Sequence, residues 1–298
     1  MRKPIVFSMA TALLLFVGTS TISSSAQDAT NDQTPTFYRL VPGTYVNGWP
    51  RFTIHYPKDW VERRPAPQDV FRAGTLEPSM YSGLMVAITH NPDSLDRMGA
   101  MLVTVFRLMA TDVTLVSDTP VRLRDGSPAQ EIELRYVRGA TPIHWFGIAT
   151  KKGDTLILTG VFGRGERVDE GLKKIPYSLE FQPDNDKPVE VPPDVQEFLE
   201  RNGNDILSHD VAKVMANYSD RYLNSGTKKV EAERDNRRWI GTVTSLTGAT
   251  TEFVRLGDRA YLTGYTVFNF GTYSFPTTSI IKENGEWKWY GNQRDPAP

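Results

Sequence analysis

Alternation of apolar and polar residues predicts β-strands in both halves of the chain. In the first half, residues 52–56 and 132–136 alternate, and residues 84–89 form a short continuous apolar run. Alternation is typical of half-buried strands, whereas a short apolar run is typical of a strand buried on both faces. Residues 143–150 and 155–162 flank the turn sequence KGD, which predicts a β-hairpin.

Helical periodicity separates these strands. After Ser94, a candidate N-cap, apolar residues recur every three or four positions as far as Met109. A short helix is predicted over Val168–Tyr177. Strands that far outnumber the helices predict an antiparallel sheet with helices packed on it, an α+β architecture.

The second half orders its elements differently, with helices before strands. One apolar stripe runs from Val195 to Ile206 and a second runs from Val211 to Tyr218, which places Tyr218 on the inner side of a helix. A third helix is predicted over Lys228–Trp239. Long strands follow, with turns predicted at GD (257–258) and NG (284–285).

Several phrases of the first half resemble PsbP-like domains over residues 43–182. These phrases are FTIHYPKDW, DVFRAG, NPDSLDRM, VRLRDGSPAQEIELRY, GIATKKGDTLILTGVF and SLEF. The resemblance implies an αβα sandwich that serves as a non-catalytic interaction module. No metal-binding or partner-contacting residue of that family has a matching motif here.

The second half resembles the nuclear transport factor 2-like superfamily, also called SnoaL-like, over residues 194–294. The phrases ANYSDRYLNSG, GDRAYLTGY and ENGEWKWYGNQ carry this resemblance. It implies a cone-shaped α+β barrel in which three helices cover a curved sheet and enclose a pocket. The superfamily includes both enzymes and binding or dimerisation modules, so the fold leaves the function open.

The start of the chain predicts export. Arg2 and Lys3 precede an apolar run over residues 5–18, and Ser24 and Ala26 place small residues before a cut ahead of position 27. This pattern is typical of a secretory signal peptide over residues 1–26. It predicts a periplasmic or secreted protein.

Two further segments are predicted to lie outside the domains. Residues 27–42 are interpreted as a disordered leader, because their first part is polar and poor in large aliphatic residues. Residues 183–193 contain four prolines and are interpreted as a linker that few contacts cross.

Composition limits the classes of partner. The chain has no cysteine, so it can form neither a disulfide nor a lipid-modified cysteine anchor. Of the 34 basic residues, 32 remain after Arg2 and Lys3 are removed with the signal peptide, against 35 acidic ones, a net charge of −3. This balance does not favour nucleic acid as a partner, and no later apolar run is long enough to span a membrane.

Candidate chemistry is sparse. The four histidines show no metal-ligand spacing, and no nucleophile motif of the GxSxG type occurs. The sequence GRG at 163–165 lacks the third glycine of a dinucleotide fingerprint. We therefore predict no catalytic residue, no metal and no cofactor. Glu252 is the one strand carboxylate of the second half, and we expect it on the outer sheet face or at a rim.

The most specific binding hypothesis is an apolar pocket lined by Tyr218, Trp239, Tyr265 and Asn269; the alternative is that these residues only fill a core. The predicted function is a non-catalytic binding or interaction protein of the cell envelope, whose partner is a small apolar ligand or an unidentified envelope protein. One alternative is a SnoaL-like isomerase, dehydratase or hydrolase acting on a small hydrophobic molecule. Another is an envelope scaffold that forms a homodimer through its C-terminal domain.

Overall fold

The computed structural model describes residues 41–63, 69–75, 83–165, 167–182, 187–224 and 226–292, without the side chains of residues 276 and 277. The predicted signal peptide, the leader up to residue 40 and residues 183–186 of the linker lie outside the described residues. We call residues 41–182 the first unit and residues 187–292 the second unit.

The described part of the first unit is an α+β arrangement of two antiparallel sheets and two α-helices. Its smaller sheet has the order β1-β2-β10, with β1 (Thr44–Asn47), β2 (Phe52–His55) and β10 (Glu180–Phe181). Its larger sheet has seven strands, β3 (Val61–Glu62), β4 (Asp69–Gly74), β5 (Gly83–His90), β6 (Thr111–Arg122), β7 (Pro128–Arg138), β8 (Thr141–Lys152) and β9 (Thr155–Arg164). Their order is β3-β4-β5-β9-β8-β7-β6. The helices are α1 (Met98–Arg107) and α2 (Glu170–Tyr177).

The central strands of the seven-stranded sheet are buried on both faces, because they are apolar on both sides. One face packs Leu84 and Phe146 against β1, β2 and α2. The other packs Ile132 and Trp145 against α1. The predicted β8–β9 hairpin is confirmed, with Lys152 opposite Thr155 across a tight turn.

The second unit places three α-helices against a six-stranded sheet. The helices are α3 (Pro193–Leu207), α4 (Val211–Ala216) and α5 (Lys229–Trp239). The strands are β11 (Tyr218–Asn224), β12 (Thr227–Lys228), β13 (Leu246–Leu256), β14 (Arg259–Phe268), β15 (Gly271–Glu283) and β16 (Glu286–Gly291). Their order is β12-β11-β16-β15-β14-β13, and β11 pairs with β16 in parallel while the other pairs are antiparallel.

Strand β14 shows which face of this sheet meets the helices. Ala260 and Leu262 pack with Val195 and Phe198 of α3 in one buried cluster. Successive side chains of a strand point to opposite faces, so the even-numbered residues of β14 define a helix face and the odd-numbered ones an outer face. Tyr261 accordingly lies away from the α3 core, in contact with Val46 of the first unit.

The first unit covers part of this outer face. Trp49 lies against Tyr265 with ring centroids 4.7 Å apart, and the Ser274 hydroxyl donates to the Trp49 carbonyl. Arg51 donates to Glu252 at 2.8 Å. The expectation that few contacts cross the linker is therefore wrong. Large aromatic side chains on the outer face need burial, and the first unit provides it.

The linker itself also contacts the second unit. The Val189 amide donates to the Thr250 carbonyl of β13 at 2.8 Å. Residues 188–192 adopt no helix or strand, and α3 begins at Pro193, where proline is well tolerated because a first-turn amide has no helical partner.

Three local predictions need correction. Ser94 does not cap α1: residues 95–97 form a 3₁₀ turn, and the Ser94 hydroxyl donates to Asp96 instead of capping a backbone amide. Tyr218 is not helical, because α4 ends at Ala216 and Tyr218 begins β11. The helix predicted from Val168 begins two residues later, where Asp169 accepts from the Gly171 amide and caps it.

Candidate functional site

Two tyrosines of β11 lie on the helix face of the second unit. Tyr218 lies opposite Trp289 in the parallel pairing of β11 with β16, and the Trp289 ring packs against Phe198 of α3. The Tyr218 and Tyr222 rings meet edge to face with centroids 4.8 Å apart. A side-chain hydrogen bond joins Tyr218 to Asn236 of α5. The pair is therefore held between the sheet and α5.

The surroundings keep both phenols protonated. Burial raises the pKa of Tyr218 above its ordinary value of 10.0, and the bond to Asn236 offsets part of that rise. Burial, and to a smaller extent the neighbouring Tyr218, raises the pKa of Tyr222 well above 10.0. Among the residues that the structure describes, the Tyr222 hydroxyl has no hydrogen-bond partner. Both phenols are therefore protonated at neutral pH and can donate a hydrogen bond.

A second group of aromatic rings lies at the C-terminal end of α5. Trp239 ends α5 three residues after Asn236, so the two side chains share one face of the helix. The Trp239 ring meets Phe268 at 5.6 Å, and Phe268 meets Tyr273 at 5.6 Å. Phe268 is an even-numbered residue of β14 and therefore belongs to the helix face.

We use the name aromatic groove for the set Tyr218, Tyr222, Asn236, Trp239, Phe268 and Tyr273, which ring contacts and the Tyr218–Asn236 hydrogen bond connect to α5. Its aromatic members are partly accessible and lie outside the buried cluster that α3 makes with the sheet. Asn236 is buried and also places its Nδ2 atom 3.4 Å from the sulfur of Met215. The set combines aromatic rings with a small number of polar groups, a composition that is common in small-molecule sites.

The structure does not bring all four predicted ligand-binding residues together. Tyr218 and Trp239 belong to the aromatic groove, although Tyr218 reaches it from a strand. Tyr265 lies on the outer face against Trp49. Asn269 follows the end of β14, where its side chain accepts from the Thr244 amide at 2.9 Å and donates to the Thr242 carbonyl at 3.1 Å.

Alternation explains this division. It separates the residues of β14 into two sets, but it does not tell which set the helices cover. The sequence pattern predicts Tyr265 and Asn269 as pocket residues, whereas Phe268 and the other even-numbered residues of β14 face the helices. The sequence does contain a signal for Asn236 and Phe268. Asn236 lies one helical turn before Trp239, which predicts that both lie on one helix face, and Phe268 lies on the opposite strand face from Tyr265.

Glu252 lies on the outer face, opposite Thr263 of β14. Its Oε1 atom accepts from Arg51, and its buried Oε2 atom has no partner among the described residues. Burial raises the pKa of Glu252 above its ordinary 4.5, and the Arg51 charge offsets part of the rise. This carboxylate belongs to the contact between the units, remote from the helix side of the sheet.

The histidines have structural neighbours. His144 Nε2 lies 2.6 Å from Glu133, and His209 Nε2 lies 2.6 Å from the Val243 carbonyl. His90 packs on the Tyr273 ring at the end of β5. Within the described ranges, no group of three or more histidine, aspartate or glutamate side chains has an arrangement that would hold a metal ion.

Two open grooves lie beside the edge strand β6 of the first unit, each with a cavity volume of about 540 Å³. One is lined by Leu95, Asp96, Pro120, Val121, Arg122, Pro128, Ala129 and Gln130. The other is lined by Ala100, Val103, Thr104, Arg107, Val113, Thr114 and Leu115. The sequence pattern does not predict a strand at β6, so the grooves beside this strand are not predicted either.

Among the helices that the structure describes, none is long and apolar enough to cross a membrane.

Comparison with solved structures returns partial likenesses at low identity. Cyanobacterial PsbP (CyanoP) from Synechocystis sp. PCC 6803 matches with a TM-score of 0.40 and 16% identity over 48% of this chain and 95% of that chain. A chain named Rd1NTF2_05 matches with a TM-score of 0.29 and 13% identity over 33% of this chain and 92% of that chain. A cystatin-like protein of unknown function from Nostoc punctiforme PCC 73102 has a TM-score of 0.26 and 16% identity over 35% of this chain and 91% of that chain.

No protein-family model and no curated protein matches the chain. The structural neighbours include PsbP, NTF2-like and cystatin-like chains. The part of the chain that the structure describes is α+β by its own helices and sheets.

Proposed function

We propose that this protein is an exported, non-catalytic binding protein of the cell envelope, and that its second unit holds a small apolar ligand in the aromatic groove. The observation that carries the proposal is the pair Tyr218–Tyr222. Two phenols whose pKa burial raises lie among aromatic rings, and one hydroxyl is without a partner among the described residues. A polar group in such a position is a ready contact for a bound molecule.

Binding is favoured over catalysis because the groove residues include no base that works near neutral pH. Phenols with a raised pKa do not accept protons under those conditions, and amides do not titrate. Acidic side chains near the groove residues in sequence form ion pairs or hydrogen bonds of their own. Asp235, directly before Asn236, is exposed and lies 3.7 Å from Arg238. Asp220 is exposed and pairs with Lys229 at 2.8 Å, and Asp205 accepts from Asn217 at 2.7 Å.

The groove indicates the chemistry of the ligand. Ring surfaces favour an apolar molecule, since buried apolar area contributes roughly 25 cal/mol per Å². A free phenol donates a hydrogen bond, so the ligand should carry one acceptor, such as a carbonyl or ether oxygen, that reaches Tyr222. A ligand without an acceptor would leave that hydroxyl unsatisfied and would bind more weakly.

The test is equilibrium binding of the fluorescent apolar probe N-phenyl-1-naphthylamine to the full mature chain, with displacement by two matched ketone and alkane competitors. We expect the ketone to displace the probe at a lower concentration than the alkane does. Tyr222→Phe should reduce the affinity of the ketone relative to that of the alkane by about three- to tenfold. Tyr136→Phe is the matched control, because burial also raises the pKa of this first-unit phenol, in its case to about 12. Absence of probe binding to the unmodified protein would refute the proposal.

The enzyme alternative is examined with the same ligand panel. If the protein converts one of the competitors and Glu252→Gln or Asp220→Asn abolishes that conversion, the chain is an enzyme and the binding proposal is wrong. We expect no turnover, because neither carboxylate lines the groove.

A further inference from the structure

We infer that the first unit completes the aromatic groove, with His90 as a positioning residue for its Tyr273 wall. This inference rests on the proposed function and extends it: the ligand site of the second unit would depend on a residue of the first. His90 ends β5, whereas Tyr273 lies near the start of β15. Their rings are 5.5 Å apart at an interplanar angle of 36°.

A chain of ring contacts connects this pair to the groove. Tyr273 meets Phe268 edge to face at 5.6 Å, and Phe268 meets Trp239 edge to face at 5.6 Å. Each contact restricts the orientation of the next ring, because aromatic pairs favour defined geometries. A shift of the His90 ring would therefore move the Tyr273 and Phe268 rings that the ligand contacts, although His90 itself does not contact the ligand.

Gly271 shows how closely the two units approach at this point. Its φ of +146° is a conformation that other residues rarely adopt, and a Cβ at this position would lie 2.5 Å from both Cε1 and Nε2 of His90. No carbon atom can occupy that position without displacing the imidazole. The backbone of the β14–β15 hairpin and the His90 ring thus fit together only because residue 271 has no side chain.

The neighbouring residue fixes the same strand from its other face. Ser274 follows Tyr273 and donates to the Trp49 carbonyl on the outer face. Consecutive residues of β15 are thus held by the first unit from opposite sides, Tyr273 by His90 and Ser274 by Trp49. This arrangement restricts both the position and the rotation of the strand that carries Tyr273.

The contribution of His90 is ring packing. Its Nδ1 atom is buried without a partner among the described residues, so this nitrogen makes no hydrogen bond to Tyr273. A phenylalanine at position 90 should therefore keep the wall in place, whereas residues without a ring should not.

The experiment measures binding of N-phenyl-1-naphthylamine to the full mature chain and to four variants. We expect His90→Ala and His90→Leu to weaken probe binding about three- to tenfold, and His90→Phe to remain within about twofold of the unmodified protein. Gly271→Ala should match His90→Ala, because it displaces the same ring. His55→Ala is the control, since this exposed first-unit histidine has its Nδ1 atom 3.2 Å from Thr44, within the same unit.

The outcomes separate this inference from the proposed function. If the unmodified protein does not bind the probe, the proposed function fails and the inference fails with it. If it binds and His90→Ala, His90→Leu and Gly271→Ala bind equally well, the proposed function stands and the inference is overturned. A folded His90→Phe that binds as weakly as His90→Leu also overturns it, and thermal melting identifies any variant that does not fold.

Discussion

The two faces of the six-stranded sheet carry similar aromatic residues but are covered in different ways. On the outer face, Trp49 and Arg51 of the first unit close over Tyr265 and Glu252. On the helix face, α3 buries the centre of the sheet, whereas the rings beside α5 remain partly accessible. Similar aromatic residues thus form a closed contact between the units on one face and a candidate binding surface on the other. The two faces differ because the first unit covers the outer face, whereas the rings beside α5 are not fully covered.

The largest expected effect is on the outer face. Trp49→Ala should lower the free energy of unfolding by about 3–5 kcal/mol, because it deletes a buried indole and leaves a cavity against Tyr265. Urea unfolding followed by circular dichroism measures the change, and proteolysis near residues 183–193 should become faster. An unchanged unfolding midpoint with unchanged proteolysis would mean that the first unit does not stabilise this face.

The charged pair on the same face should show a smaller effect that depends on pH. Arg51→Met should cost about 1–3 kcal/mol at pH 7, because it leaves the partly buried Glu252 carboxylate without its counter-charge. Burial already raises the pKa of Glu252 above 4.5, and loss of Arg51 should raise it further.

A carboxyl group whose pKa is raised by folding binds its proton more tightly in the folded state than in the unfolded state. Its ionised form therefore lowers the free energy of unfolding at a pH above the folded-state pKa, and this loss becomes smaller as the pH falls toward 4.5. Urea titrations at pH 7 and pH 4.5 should therefore show the Arg51→Met deficit shrinking in acid. The double variant Arg51→Met/Glu252→Gln should regain part of the lost stability at pH 7. An equal deficit at both pH values would contradict this account of the pair.

The smallest effect on stability is expected on the helix face. Trp239→Ala should lower the free energy of unfolding by only about 1–2 kcal/mol, because its ring is partly accessible and packs mainly on Phe268. The same variant should weaken binding of the apolar probe more than Trp49→Ala does. If Trp49→Ala proved the more damaging to binding and the less damaging to folding, the assignment of the two faces would be reversed.

Local pattern in the sequence was enough to predict the strands of the β8–β9 hairpin and the third helix of the second unit. The hairpin has two apolar runs around a glycine turn, and α5 begins within one residue of its predicted start at Lys228. Tyr218 illustrates the limit of that approach. Its spacing from Val211, Val214 and Met215 fits a helix, yet pairing with β16 places it in a strand. Tertiary context overrides such short periodic signals.

The contact between the units was not predictable by these means. Trp49 and Tyr265 are separated by more than two hundred residues, and nothing in either local pattern indicates the other. The prolines of the linker suggested a spacer, but they govern backbone stiffness and carry no information about which surfaces meet. The role of the outer face of β14 depends on this contact, because Trp49 of the first unit lies against Tyr265.

The edge strand β6 affects the tendency of the protein to aggregate. An open strand of this length presents backbone groups that could pair with a neighbouring molecule and start aggregation. Its register against β7 is interrupted twice, Asp112 adopts a φ of 52°, and Pro120 lies within the strand. These features make the edge a poor template for another strand. A chain that has no disulfide to keep it folded can thereby leave this edge exposed and still resist assembly into extended sheets.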